Sequence, residues 1–121
     1  MSKTIMIVDD SASLRQVVKI ALVKAGYEVI EACDGKDALA KLDGKKVNLI
    51  ISDVNMPNMD GISLVKAVKT LPAYKFTPII MLTTESQEDK KREGQAAGAK
   101  AWVVKPFQPE QMLTAVNKLC M

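Results

Sequence analysis

Three aspartates, two threonines and a lysine stand where short apolar runs end. Asp9 and Asp10 close Ile5-Met6-Ile7-Val8, and Asp53 closes the run 47–52. Thr83 and Thr84 follow Ile79-Ile80-Met81-Leu82, and Lys105 follows Ala101-Trp102-Val103-Val104. Short apolar runs separated by helical patterns read as buried parallel strands. An open α/β sheet binds its ligands outside the carboxyl ends of the strands. The spacing therefore predicts one crevice that collects carboxylates, a hydroxyl and an ammonium group. Carboxylates brought together repel each other unless a cation or a shared proton intervenes. A hard cation such as Mg2+ takes oxygen ligands, usually one or two carboxylates completed by water or phosphate. The cluster of Asp9, Asp10 and Asp53 thus calls for Mg2+ more strongly than any one member does. By itself, Asp9-Asp10 would read as a helix cap or a solvated loop, and Lys105-Pro106 as a turn. With partners on neighbouring strands, Lys105 could hold one phosphoryl oxygen and Thr83 could donate a hydrogen bond to another.

The elements that must carry these residues are visible as periodicities. Leu14, Val17, Val18, Ala21 and Leu22 recur at helical spacing, predicting an amphipathic helix that Ser11 or Asp10 caps and Gly26 ends. Residues 27–32 form a partly alternating second strand, and Asp34-Gly35 opens a short helix carrying Ala38, Leu39 and Leu42. Residues 55–61 are dense in turn formers. A helix follows with Leu64, Val65, Val68 and Leu71 on one face until Leu71-Pro72 stops it, and Pro78 opens the fourth strand. The next helix is the weak one. Ser86 and Asp89 have capping-box spacing, but its apolar residues are mostly alanines and it contains Gly94. An interior glycine costs about 1 kcal/mol against alanine, and little apolar anchoring makes this helix a candidate mobile element. Pro109 starts the last helix, with Met112, Leu113, Val116 and Leu119 facing inward. Five strand–helix pairs, with no linker, repeat or low-complexity segment, predict an α/β fold whose parallel sheet is covered on both faces.

Composition removes several classes of function. The chain has 121 residues, 48% of them hydrophobic, and a mean hydropathy near zero, which describes one soluble globular domain. No apolar run approaches the roughly 20 residues that span a bilayer. The N-terminus leads straight into a strand rather than a signal peptide, making the cytoplasm the expected compartment. Cys33 and Cys120 lack metal-ligand spacing and read as free thiols. The basic cluster Lys90-Lys91-Arg92 is flanked by Glu88, Asp89 and Glu93, a solvated helix face rather than a nucleic-acid footprint. Neither nucleic acid nor a membrane is an expected partner. The chain has no histidine. That excludes Ser-His-Asp and Cys-His catalysis and histidine metal sites, and any phosphohistidine chemistry must involve another protein. Trp102, the sole tryptophan, reads as cover for the sheet edge, and the seven methionines as packing.

Asp9-Asp10, Asp53 within Asp-Val-Asn-Met-Pro-Asn-Met-Asp-Gly, Thr83-Thr84 and Lys105-Pro106-Phe107 together resemble the receiver domain of two-component response regulators. The resemblance runs from Lys3 to Leu119 and is most similar to stand-alone chemotaxis regulators of the CheY type. It implies a flavodoxin-like (βα)5 fold, with a five-stranded parallel sheet in the order 2-1-3-4-5. It also implies a single receiver over residues 1–121 with no output domain. Asp53 would take a phosphoryl group from a phosphohistidine on a CheA-type histidine kinase, forming an aspartyl phosphate. The chain would then be a phosphoacceptor with Mg2+-dependent self-phosphorylation and self-dephosphorylation, not an enzyme. Asp10 and Asp53 would bind Mg2+ directly, Asp9 through water, and Asn55 through its backbone carbonyl. Lys105 and Thr83 would stabilise charge on the phosphoryl oxygens. Thr83 and Trp102 would form the switch, altering the surface of the fourth helix, fifth strand and fifth helix. The implied output partners are a flagellar motor switch protein or a phosphatase, met by a monomer.

Departures from the pattern set the alternatives. Trp102 stands where motor-binding CheY chains usually carry tyrosine. Thr84 stands where alanine is frequent and places a bulkier group beside the path of an attacking water. Gln87, Glu88 and Lys91-Arg92 replace the basic and apolar contacts of the fourth helix, which favours a phosphate sink or a non-motor pathway as the alternative to motor control. A flavin module needs a phosphate-binding loop after the first strand, where Asp9-Asp10-Ser11 would repel a phosphate. A Mg2+-dependent phosphohydrolase of the haloacid dehalogenase class needs Asp-x-Asp, and Asp53-Val54-Asn55 lacks the second acid.

Overall fold

The computed structural model describes residues 3–54, 56, 59–84, 88–105 and 108–120, with the backbone alone for Thr84, Glu88 and Lys90. Strands and helices alternate as β1 (Thr4–Val8), α1 (Ala12–Lys24), β2 (Glu28–Ala32), α2 (Gly35–Leu42), β3 (Leu49–Asp53), α3 (Gly61–Lys69), β4 (Ile79–Thr84), α4 (Glu88–Ala97), β5 (Ala101–Lys105) and α5 (Pro109–Leu119). All neighbouring strands pair in parallel, in the order β2-β1-β3-β4-β5. The chain moves outward in opposite directions from β1 and β3, which opens a crevice beyond their carboxyl ends. Register then aligns the chemistry. Ser52 lies beside Val8, and Asp53 beside Leu82, so Asp9, Asp53 and Thr83 emerge at one end of three adjacent strands.

Strand alternation divides the core into two layers. Met6, Val8, Ile50, Ile79 and Met81 face α2, α3 and α4, where Leu42, Leu64, Val65 and Val68 meet them. Ile5, Ile7, Leu49, Ile51, Ile80 and Leu82 face α1 and α5, against Val18, Leu22, Met112 and Val116. Burial on both faces explains why these strands read as unbroken apolar runs rather than as alternating ones. Among the described residues no helix is long and apolar enough to cross a membrane.

Several element ends differ from the sequence expectation. Tyr27 precedes β2 and donates its hydroxyl to Asn117 Oδ1 of α5 instead. Thr83 and Thr84 are the last residues of β4, and Lys105 the last of β5, rather than the residues after them. Leu71 lies beyond α3 because Thr70 turns the chain. The Thr70 amide donates to the Ala67 and Val68 carbonyls, and its hydroxyl donates to the Ala67 carbonyl (2.6 Å). Of the two caps considered for α1, Ser11 is the one that accepts from the Leu14 amide. Ser86, expected to open α4, lies outside the described residues.

Candidate functional site

The β1–α1 turn positions the first acid. Asp9 is buried at 1% exposure, with its amide donating to the Ala32 carbonyl of β2 (3.1 Å). Its Oδ1 accepts the Ser11 amide (2.8 Å), and its Oδ2 lies 3.5 Å from Lys105 Nζ. Burial pushes the Asp9 carboxyl above its ordinary value of 3.8. The Asp53 charge adds to that rise, while the Ser11 amide and the Lys105 ammonium oppose it. Asp10, next along the turn, is exposed, and its carboxylate meets no hydrogen-bond donor among the described residues.

β3 ends on Asp53, which is 9% exposed. Its Oδ1 accepts the Val54 amide (2.9 Å) and lies 3.1 Å from Lys105 Nζ. Among the described residues its Oδ2 has no hydrogen-bond donor. The start of α3 presses on this strand end from behind. The Gly61 amide donates to the Val54 carbonyl (2.8 Å), and a Cβ at Gly61 would collide with the Asp53 carbonyl oxygen and come within 2.8 Å of Met81 Cε. Only glycine allows that approach.

Ligand atoms of Asp9, Asp10 and Asp53 lie within 4.8 Å of one another. An all-oxygen set at that spacing, with one member held buried at an electrostatic cost, fits a hard divalent cation such as Mg2+. Lys105 supplies a positive charge against both Asp9 Oδ2 and Asp53 Oδ1. The sequence-derived cluster of Asp9, Asp10, Asp53 and Lys105 is therefore assembled. Asn55, Pro106 and Phe107 fall outside the described residues.

Thr83 is buried at the end of β4, one residue beyond the partner of Asp53. By alternation it shares the face of Met81, which is also the face on which Trp102 packs. Trp102 is not simply edge cover. Its ring lies on α4 at Gly94, where a Cβ would come within 2.8 Å of Cζ2 and collide with Cη2. The indole Nε1 is buried with no hydrogen-bond partner among the described residues.

Arg15 is a residue that the spacing argument missed. From the first turns of α1 its Nη1 donates to the Asp9 carbonyl oxygen (2.5 Å), and its Nε lies 3.3 Å from Glu31 Oε1. The only sequence signal was an arginine a short distance after the acidic pair, which resembles any solvated helix charge.

Comparison with known proteins agrees with this geometry. The chain is 38% identical to protein PilG of Pseudomonas aeruginosa over 93% of this chain and 84% of that protein. It is 40% identical to chemotaxis protein CheY of Bacillus subtilis, over 98% of each. The structure of chemotaxis protein CheY4 of Vibrio cholerae superposes with a TM-score of 0.93 at 51% identity, covering 98% of this chain and 99% of that one. Residues 5–117 match the response regulator receiver domain, and the chain belongs to that family.

Proposed function

We propose that the chain is a phosphorylation-dependent signalling switch in which Asp53 is the phosphoacceptor. One observation carries the reading. Asp53 keeps one carboxylate oxygen on the Val54 amide and near Lys105, leaves the other without a donor among the described residues, and brings a carboxylate oxygen within 4.8 Å of those of Asp9 and Asp10. That free Oδ2 is the nucleophile. It forms a P–O bond as the P–N bond of a partner's phosphohistidine breaks, and the imidazole leaves with the bonding pair. The chain has no histidine, so the donor is a second protein, in the proposed reading a CheA-type kinase. Bound by Asp9, Asp10, Asp53 and the Asn55 carbonyl, Mg2+ would neutralise charge on the transferring group. Lys105, already 3.1 Å from Asp53, holds one phosphoryl oxygen, and the Thr83 hydroxyl donates to another. Moving Thr83 towards Asp53 changes what Trp102 and α4 rest on. Autodephosphorylation follows when water attacks the same phosphorus and the P–O bond to Asp53 breaks, releasing inorganic phosphate and restoring the carboxylate.

The proposed setting is a cytoplasmic monomer, a receiver across residues 1–121, in a chemotaxis-type pathway. Relatives named as chemotaxis proteins, matched end to end, support it. The proposed output surface is the groove between β5 and α5, lined by Lys100, Lys105 and Lys118 beside Trp102 and Val104. A flagellar motor switch protein or a phosphatase is the partner class the resemblance suggests. A non-motor output or phosphate sink is the second reading, favoured by Lys91 and the exposed Arg92 on α4.

Incubation with acetyl phosphate and Mg2+ tests the assignment by mass spectrometry. A receiver gains one labile phosphoryl group, lost entirely in Asp53→Asn, whereas a hydrolase consumes many equivalents. Equal labelling of the variant and the parent would sink the reading.

A further inference from the structure

We propose that Arg15 is a positioning residue that aims Asp10 at the cation, an inference that rests on the function proposed above. The oxygen Arg15 grips is the Asp9 carbonyl (2.5 Å), which belongs to the peptide unit joining Asp9 to Asp10. A peptide unit is planar, so holding its oxygen fixes the direction in which the chain enters Asp10. Asp9 has its own restraints, from the Ser11 amide and Lys105. Asp10 has none: its carboxylate is exposed and meets no donor among the described residues. The orientation of Asp10 is therefore inherited from its backbone, and Arg15 is the side chain that sets it.

Arg15 is itself held from the far side. Its Nε lies 3.3 Å from Glu31 Oε1, Lys19 Nζ lies 3.4 Å from Glu31 Oε2, and Lys41 Nζ donates to the Glu31 carbonyl (2.6 Å). Glu31 thus anchors the guanidinium to β2 and offsets its charge, so that a cation is not simply repelled. A planar fork with several donors can serve a carbonyl and a carboxylate together, which a single ammonium cannot do in the same geometry.

Two effects oppose each other on removing Arg15. Losing a nearby positive charge would tighten Mg2+ binding, and losing the clamp would weaken it. Outer partners of metal ligands typically control affinity by 10–100-fold, so the clamp is expected to win. Calorimetric titration of Mg2+ into the whole chain decides the matter, with melting in EDTA checking that each variant is folded. Arg15→Ala should weaken Mg2+ about tenfold, with Arg15→Lys between it and the parent, and Glu31→Gln should also weaken binding by freeing the guanidinium. Lys19→Ala is the charge control, because it removes a cation from the same carboxylate without touching Asp9, and its affinity should stay at the parent value or rise. Tighter binding in Arg15→Ala, or equal affinities for Arg15→Ala and Lys19→Ala, would overturn the clamp. A parent chain that binds no Mg2+ would overturn both the clamp and the metal assignment beneath it.

Discussion

The two sides of the crevice are held by different means. On the acid side, β1 and β3 are buried nearly throughout, and side chains cap α1, α2 and α3. Ser11, Asp34 and Asp60 accept from the amides of Leu14, Asp37 and Ser63 at 3.3, 2.8 and 2.7 Å. On the switch side, β5 is a half-exposed edge strand with Val104 41% open to solvent. The described side chains of α4 include no large aliphatic, and its buried residue there is Gly94. One indole ring, whose N–H meets no partner among the described residues, covers that glycine. The acid side is thus fixed by many side-chain bonds, whereas α4 is held, among the described residues, by small residues alone, with Ala97 against the core and Gly94 under the indole. Elements with few apolar anchors open at the lowest free energy. In the proposed switch, a small shift at Thr83 would then act on a lightly tethered helix beside a rigid acceptor.

Substitutions on either side should break this contrast or sharpen it. The largest effect is expected from Gly61→Ala, where the added Cβ strikes the Asp53 carbonyl, a backbone atom with nowhere to go. Overpacking of this kind costs about 3 kcal/mol, measurable by urea denaturation. A loss under 1 kcal/mol would mean that the acid side yields as readily as α4.

Asp9→Asn should act in the opposite direction. The Asp9 carboxyl is raised above 3.8 mainly by burial. Its contribution to stability is therefore full below that value and lost as pH rises through the raised one. At neutral pH the ionised group costs stability, so the variant in EDTA should melt a few degrees above the parent. The gap should close as the pH falls towards 3.8. A gap that widens on acidification would contradict the assignment of burial as the dominant cause.

Ser11→Ala removes a cap and should cost about 1 kcal/mol. It also releases the turn that carries Asp9 and Asp10, so Mg2+ affinity should fall with stability. If stability falls alone, the cap and the metal turn are independent.

The smallest change in stability, and the clearest optical one, belongs to Gly94→Ala. Alanine favours the helix by about 1 kcal/mol, offsetting much of the clash with Trp102. The ring must leave, so emission should shift to the red and iodide quenching should increase. Unchanged emission would show that α4 moves instead of the indole.

Much of this was legible before folding, for identifiable reasons. Asp9, Asp53, Thr83 and Lys105 end apolar runs, and a parallel sheet buried on both faces writes those runs without interruption. Helix α5 was visible because Pro109 and the spacing of Met112 and Val116 are both local signals. Arg15 was hidden because its target is a backbone carbonyl, which every residue possesses and no residue type marks. Gly94 was visible only as a cost. Its reason lies on another element, in a ring that reaches it across the sheet surface. Leu71 was misplaced because the hydroxyl of Thr70 turns the chain before proline does.

The fit of Trp102 on Gly94 also constrains the order in which a lineage can change these two positions. A chain with this tryptophan can first shrink the ring to phenylalanine or tyrosine and then accept alanine in the helix, each step tolerated. Taken in the other order, the alanine arrives while the indole is still present and drives the ring from its inward position, at the expense of the contact rather than of stability. Descendants should therefore pass through the small-ring, glycine-bearing combination, and the pairing of a helix methyl with an inward tryptophan should be the rare one of the four.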